Sequence, residues 1–289
     1  MTDFILSDYF RLDREQGGRN ALLLGAPGQG KTSLMQYLTY LSCRGKDFHG
    51  NPREKQAAIW RARGHDRYLE FMNLGIGILA VPEGSDFTLV KVYDTHREDI
   101  DIQDLEDEGI PYFRYSSALD ILENMQQGKV ICILFAGSGT EETQFYADLF
   151  EALVSRKDNR WIHVAIDEAD DILPPYSQES YKVQAQFVRA VNDFRKRYIN
   201  SIFATHDYRN LDYRIRPKTP WHIYKRGAKR LPGESGKLKQ DYINSLEVNE
   251  AEISFGAFFD LFQFPAVKRS QRLNFSLQTE YRRYDVTME

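Results

Sequence analysis

Gly25-Ala26-Pro27-Gly28-Gln29-Gly30-Lys31-Thr32 is the stretch from which the chain is read. It matches G-x-x-x-x-G-K-[ST] at every fixed position. The apolar run Ala21-Leu22-Leu23-Leu24 precedes it, and a helix-like segment from Ser33 to Leu41 follows. Glycine adopts backbone angles that other residues resist, so successive N–H groups can curl round an anion. Lys31 is suited to bridge the β- and γ-phosphates and the Thr32 hydroxyl to ligate Mg²⁺. The helix behind them turns its positive end to the same phosphates. Gly25, Ala26, Pro27, Gly28, Gln29, Gly30, Lys31, Thr32 and Ser33 are therefore expected to hold a nucleoside triphosphate. A surface turn with an accidental lysine would not need a strand before it and a helix after it.

Away from the loop, composition narrows the class. The 289 residues can bury a sizeable core. No apolar stretch reaches the roughly 20 residues of a membrane span, and Met1 to Arg14 lacks a signal-peptide core, so the expectation is a cytosolic chain. Cys43 and Cys132 provide no disulfide framework, and Cys132 reads as a small apolar residue of a buried strand. Net charge is −4. Eight acidic residues fall between Asp94 and Glu108, whereas six basic ones fall between Lys225 and Gln240. The late basic runs permit one positive face on a mildly acidic body, with the loop Lys225–Lys239 expected to touch nucleic-acid phosphates.

In chain order, residues 1–19 read as a polar lead-in arm and 20–226 as the core. Within it, 43–86 reads as an insertion, mostly helical from Arg53 to Leu74, before the next strand at Phe87–Tyr93. Residues 110–115, 129–135, 161–166 and 199–205 are strand candidates, several of them continuous apolar runs of the kind covered on both faces. Ser138 to Glu141 fits a helix-capping box. Val183, Phe187, Val191, Phe194 and Tyr198 space out an amphipathic helix over 179–198. Strands alternating with helices imply an α/β fold around a mostly parallel sheet flanked by helices. Residues 227–289 read as an extension packed on that core, β-leaning near 241–248 and 272–277.

Hydrolysis needs more than a phosphate cradle. A carboxylate at the end of a strand beside the loop strand can hold Mg²⁺, and a second carboxylate next to it can activate the attacking water. Asp167 and Glu168, after Ile162–Ile166, meet both needs, giving Thr32 and Asp167 as the Mg²⁺ residues and Glu168 as the base. Thr205 and His206 end the later strand and are candidates to sense the γ-phosphate. His163 alternates with apolar residues and reads as packed; the other histidines are too scattered for a metal site.

Asp167-Glu168-Ala169-Asp170 also spells the signature of DEAD-box helicases, but fewer than 120 residues follow it, too few for their second domain. The phosphate loop, Val92-Tyr93-Asp94, Asp167-Glu168-Ala169 and the segment from Phe194 through Ala204-Thr205-His206 to Leu211-Asp212 together resemble the HerA/FtsK superfamily. Where that family has Ala-Thr-Gln, this chain has His206. The resemblance implies a RecA-like (ASCE) ATPase using ATP and Mg²⁺, working as a homohexameric ring round double-stranded DNA. It also implies an arginine supplied by a neighbour, for which Arg214 and Arg216 are the candidates. Viral genome-packaging ATPases and zonula occludens toxin-like phage assembly proteins belong to that superfamily. A packaging motor in the host cytoplasm or virion, an assembly ATPase acting with a capsid or membrane protein, and a nucleotide switch that moves no DNA are the functions left open.

Overall fold

A computed structural model describes residues 4–62, 66–85, 87–93, 96–101, 104–135, 137–175, 181–232, 237–265 and 276–281. The helices are α1 (Phe4–Tyr9), α2 (Lys31–Arg44), α3 (Glu70–Asn73), α4 (Ala118–Glu123), α5 (Gly139–Ser155), α6 (Tyr181–Phe194) and α7 (Lys237–Ser245). Up to the middle of the chain the strands are β1 (Asn20–Leu24), β2 (Ala57–Ala62), β3 (Gly77–Pro82), β4 (Phe87–Tyr93), β5 (His96–Asp101), β6 (Tyr112–Tyr115) and β7 (Val130–Leu134). Then come β8 (Ile162–Ile166), β9 (Ile199–Thr205), β10 (Trp221–Tyr224), β11 (Glu250–Phe255), β12 (Phe258–Gln263) and β13 (Ser276–Tyr281).

Ten strands form one sheet in the order β12-β11-β10-β1-β9-β8-β2-β7-β3-β6. The run from β10 to β6 is parallel throughout, and β11 and β12 continue it antiparallel. β1, β7, β8 and β9 are buried end to end, because helices cover both faces and continuous apolar runs suit that setting. One apolar layer joins α1 and α2 to the sheet through Leu6, Leu34 and Leu38; the other joins α4, α5 and α6 through Ile121, Phe150 and Phe187. Ser138 caps α5 with Glu141, as its spacing predicts. The expectation of a mostly parallel α/β sheet flanked by helices holds.

Several sequence expectations need correction. Residues 43–86 are not a helical insertion: β2 and β3 are interior strands of the main sheet. β2 was obscured by Arg61, a charge in an apolar run, which is buried with its own partners. β4 does not lie in the main sheet but pairs antiparallel with β5 and β13 in a second, three-stranded one. Its partner β5, His-Arg-Glu-Asp-Ile-Asp, carries too much charge to be enclosed between two helix layers. Residues 4–10 are no loose arm, for α1 buries Ile5, Leu6 and Tyr9. Asp260 of β12 accepts from the Ile5 and Leu6 amides at 2.5 and 2.9 Å, which ties that helix to the sheet edge. Residues 237–245 are helix, not strand, and of 272–277 only the start of β13 lies within the described residues. Asp94 lies outside them too.

Candidate nucleotide site

The phosphate loop turns from β1 into α2 at the C-terminal edge of the sheet. Gly28 and Gly30 have φ of 72° and 80°, the left-handed region in which glycine avoids strain. Among the described residues their amides donate to no protein acceptor, which leaves them available to an anion. Lys31 is enclosed at the base of the loop and donates to Gly25 O at 2.8 Å and Ala26 O at 3.1 Å. Burial pulls its pKa down, and the carboxylates of Asp167, Asp170 and Glu168 oppose that shift. An incoming phosphate would favour the charged form further.

Asp167 directly follows β8, and the Thr32 hydroxyl donates to its Oδ2 at 2.5 Å. The sequence reading put this strand beside the loop strand; in fact β9 lies between β1 and β8. Contact survives the extra strand because Thr32 sits on the first turn of α2, which leans over β8 and β9. Asp167 Oδ1 meanwhile accepts from the Glu168 amide at 3.0 Å. Glu168 has φ 49° and ψ 52° and is one of two described non-glycine residues at positive φ, the other being Tyr198. Such a conformation costs about 1–3 kcal/mol and persists only where surroundings enforce it. Its carboxylate has no partner among the described residues, so it is available as a proton acceptor.

The enforcing group is Arg61, which sequence reasoning missed. From β2, next to β8, its Nη1 donates to Asp167 O at 2.8 Å and Glu168 O at 3.0 Å. Its Nε and Nη2 grip the Glu142 carboxylate of α5 at 2.8 and 3.0 Å, and Nη2 also reaches Asp171 at 3.3 Å. Burial alone would lower its pKa, but the Glu142 hydrogen bond and nearby negative charges hold it above the ordinary value. The sequence signal was the lone charge inside Ala-Ala-Ile-Trp-Arg-Ala.

His206, the sensor candidate, follows β9 and places Nδ1 2.7 Å from Lys31 Nζ. The same nitrogen lies 3.3 Å from Gly25 O, so the ring is joined to both the lysine and the start of the loop. Thr205 is buried in the strand and bonds its own loop at Asp207 O. His163 packs as expected: its Nε2 lies 3.1 Å from Thr39 Oγ1, and burial drives its pKa down to about 3.

Arg214 and Arg216 lie away from the phosphate loop. Arg214 pairs with the buried Asp212 at 2.5 Å, and Arg216 stacks 4.8 Å over the Tyr208 ring. The expected basic loop is largely spoken for as well. Lys225 is buried and donates to Val248 O at 2.6 Å and to Glu250 O; Arg230 is ion-paired to Glu252 inside the protein. Only Arg226 and Lys229 of its described cations are exposed, while the side chains of Lys237 and Lys239 lie outside the described residues.

No family model and no curated protein matches this sequence. Solved structures do. A genome-packaging NTPase, B204 of Sulfolobus turreted icosahedral virus 2, crystallised with ATP-gammaS, superposes with TM-score 0.50 at 13% identity, covering 86% of this chain and 98% of that one. The fold is that of a P-loop NTPase. The DNA-packaging ATPase B204 of Sulfolobus turreted icosahedral virus matches with the same score, identity and coverage. The N-terminal domain of a zonular occludens toxin from Neisseria meningitidis matches more loosely, with TM-score 0.39 at 15% identity over 86% of this chain and 95% of that one. Among the described residues no helix is long and apolar enough to cross a membrane.

Proposed function

We propose that this chain hydrolyses ATP to drive double-stranded DNA through a homohexameric ring, as a viral genome-packaging motor. The observation that carries the ATPase reading is the Thr32–Asp167 contact across three strands, with the unpaired Glu168 carboxylate held beside it in a strained backbone. Thr32 Oγ1 and Asp167 are hard oxygen donors, and Asp170 Oδ1 is buried near them with no partner, a set that suits Mg²⁺. Thr32 and Asp167 would hold that ion, which when bound neutralises charge on the transferring phosphoryl group. The loop amides and Lys31 bind and orient the phosphates. Glu168 takes the proton of the attacking water, and His206 reports the occupied γ-phosphate position to Lys31. The motor reading is supported by fold likeness to proteins described as packaging ATPases. The site of work is then the host cytoplasm or the assembling virion, with a capsid protein as docking partner.

Turnover measured with and without duplex DNA, alongside native mass in ATP, tests the proposal. Wild-type protein should be stimulated by duplex and should assemble to six copies. Lys31→Ala should lose most ATP affinity. Glu168→Gln should keep binding and lose turnover by about 10²–10⁴, the usual worth of a general base. Hydrolysis insensitive to DNA but stimulated by a protein partner would replace the motor with an assembly ATPase or a switch. Wild-type turnover in Glu168→Gln would remove the assigned base.

A further inference from the structure

At the opposite end of the sheet from the phosphate loop lies a cleft of about 1010 Å³. It opens where β1 and β10 begin and β11 ends, walled by the segment after α1 and by the turn after α6. Five cationic side chains line it against the carboxylates of Asp8 and Glu15, in a chain whose net charge is −4. Arg14 pairs with Glu54 and Lys196 with Asp193, but two of the cations have no carboxylate partner among the described residues. Arg195 donates through Nε to Gln16 O at 2.6 Å, and among the described residues its terminal nitrogens have no acceptor. Lys218 Nζ likewise has none. Arg19, 6% exposed, is held in the wall instead: its Nη2 donates to Gln16 Oε1 at 2.7 Å and lies 3.6 Å from Asp8, and only its Nε is buried without a partner. Burial lowers the Arg19 pKa, and the nearby positive charge of Arg195 acts in the same direction.

An aromatic row starts in the cleft with Trp221 and Phe255 and continues past its edge to Phe258. Trp221, Phe255 and Phe258 are successive cross-strand partners on β10, β11 and β12, so their side chains share one face. Trp221 and Phe255 stack at 4.6 Å with planes 28° apart, and Arg19 lies 5.7 Å over the Trp221 ring. Exposure rises outward from 3% at Trp221 to 42% at Phe255 and 67% at Phe258. Strands are about 4.8 Å apart, so the path from β12 across to β9 is roughly 19 Å, the length of a few nucleotides.

We infer that this cleft binds a single strand of nucleic acid, with phosphates on Arg195 and Lys218 and unpaired bases stacked on Phe255 and Phe258. An acidic peptide would satisfy the cations but leave the aromatic faces in water. A duplex keeps its bases paired and cannot present them to the rings. A basic groove joined to an aromatic platform serves both parts of an open strand. The inference does not rest on the ATPase reading, because binding is expected without nucleotide and should persist in Glu168→Gln.

Anisotropy of a labelled oligothymidylate, titrated over a range of salt, tests it. Log affinity should fall linearly with log salt by about 0.7 per phosphate neutralised, and Arg195→Ala and Lys218→Ala should each reduce that slope by about 0.7. Phe258→Ala should weaken binding about tenfold with the slope unchanged, and Phe255→Ala at least as much. Oligouridylate should bind alike, since phosphates and stackable bases are common to both. Phe258 is largely exposed, so its variant should melt like wild type and cannot lose binding merely by unfolding. Absence of salt-dependent binding, equal affinity for an abasic strand, or equally effective competition by polyglutamate would overturn the inference. So would unchanged affinity and slope in the Arg195→Ala, Lys218→Ala double variant.

Discussion

Arg61 carries a full charge inside a sheet strand, and its bonds divide between a structural partner and a functional one. Glu142 neutralises it, while the Asp167 and Glu168 carbonyls receive its remaining fork. Arg61→Met should destabilise the protein by about 3–5 kcal/mol, because it removes the cation that the buried Glu142 carboxylate faces. Adding Glu142→Met should restore most of that loss in chemical denaturation. Turnover should stay down by about 10²-fold in the double variant, since nothing then positions the Glu168 backbone. Recovery of turnover along with stability would reduce Arg61 to a packing role. Lys225 is a second buried cation, and burial pushes its pKa down to about 8. In the unfolded chain a lysine titrates near 10.4, so between these values the unfolded state binds more protons and Lys225 adds stability as pH rises. Melts across that window should show wild type gaining on Lys225→Met, with Glu250 the nearby opposing charge.

At the scale of elements, the site is a set of strand ends brought level. After β8 the chain passes through Asp167 and then turns through a left-handed Glu168, a conformation glycine would adopt without strain. Glu168→Gly should therefore raise stability by about 1 kcal/mol while abolishing turnover, read from melts and phosphate release. A destabilised variant would mean that the Glu168 side chain has structural contacts outweighing its strain. The far wall of the cradle comes from the connection between α7 and β11. A Cβ on Gly30 would lie 2.8 Å from Val248 O, and Gly30 also has positive φ. Gly30→Ala should thus displace that connection and weaken ATP binding, measurable by calorimetry, even though every side chain of the cradle remains. A fully retained affinity would show that the cradle tolerates the shift.

For the whole molecule, the proposed ring raises the question of how one subunit would complete another. An arginine supplied in trans is worth about 10³–10⁵ in rate. Arg214 is tied to the buried Asp212, so replacing it exposes a structural liability; Arg216, held by Tyr208 and by Leu211 O at 3.3 Å, is the cleaner test. Arg216→Ala and Glu168→Gln should each be inactive alone, and mixing them should restore part of the activity where an intact Glu168 faces an intact Arg216. Full activity of Arg216→Ala eliminates that residue, and confirmed mixed rings that stay inactive would assign it to its own subunit's site.

Local chemistry made the nucleotide site legible. Gly25 to Ser33 and Asp167-Glu168 are consecutive residues whose side-chain types and flanking apolar runs carry the proposed roles without knowledge of the fold. The continuous runs at β7, β8 and β9 likewise imply a sheet covered on both faces. Strand order was not legible, because pairing joins segments far apart in sequence. β9 between β1 and β8, and β2 and β3 within the sheet, emerge only when the faces are packed. Nor can sequence say which charges are solvated: Arg61, Lys225 and Arg230 look like surface residues until folding surrounds them with carbonyls and carboxylates. The late basic stretches permit one positive face in sequence, and burial takes Lys225 and Arg230 out of it. Desolvation is a property of what encloses a residue, and that is decided by tertiary structure alone.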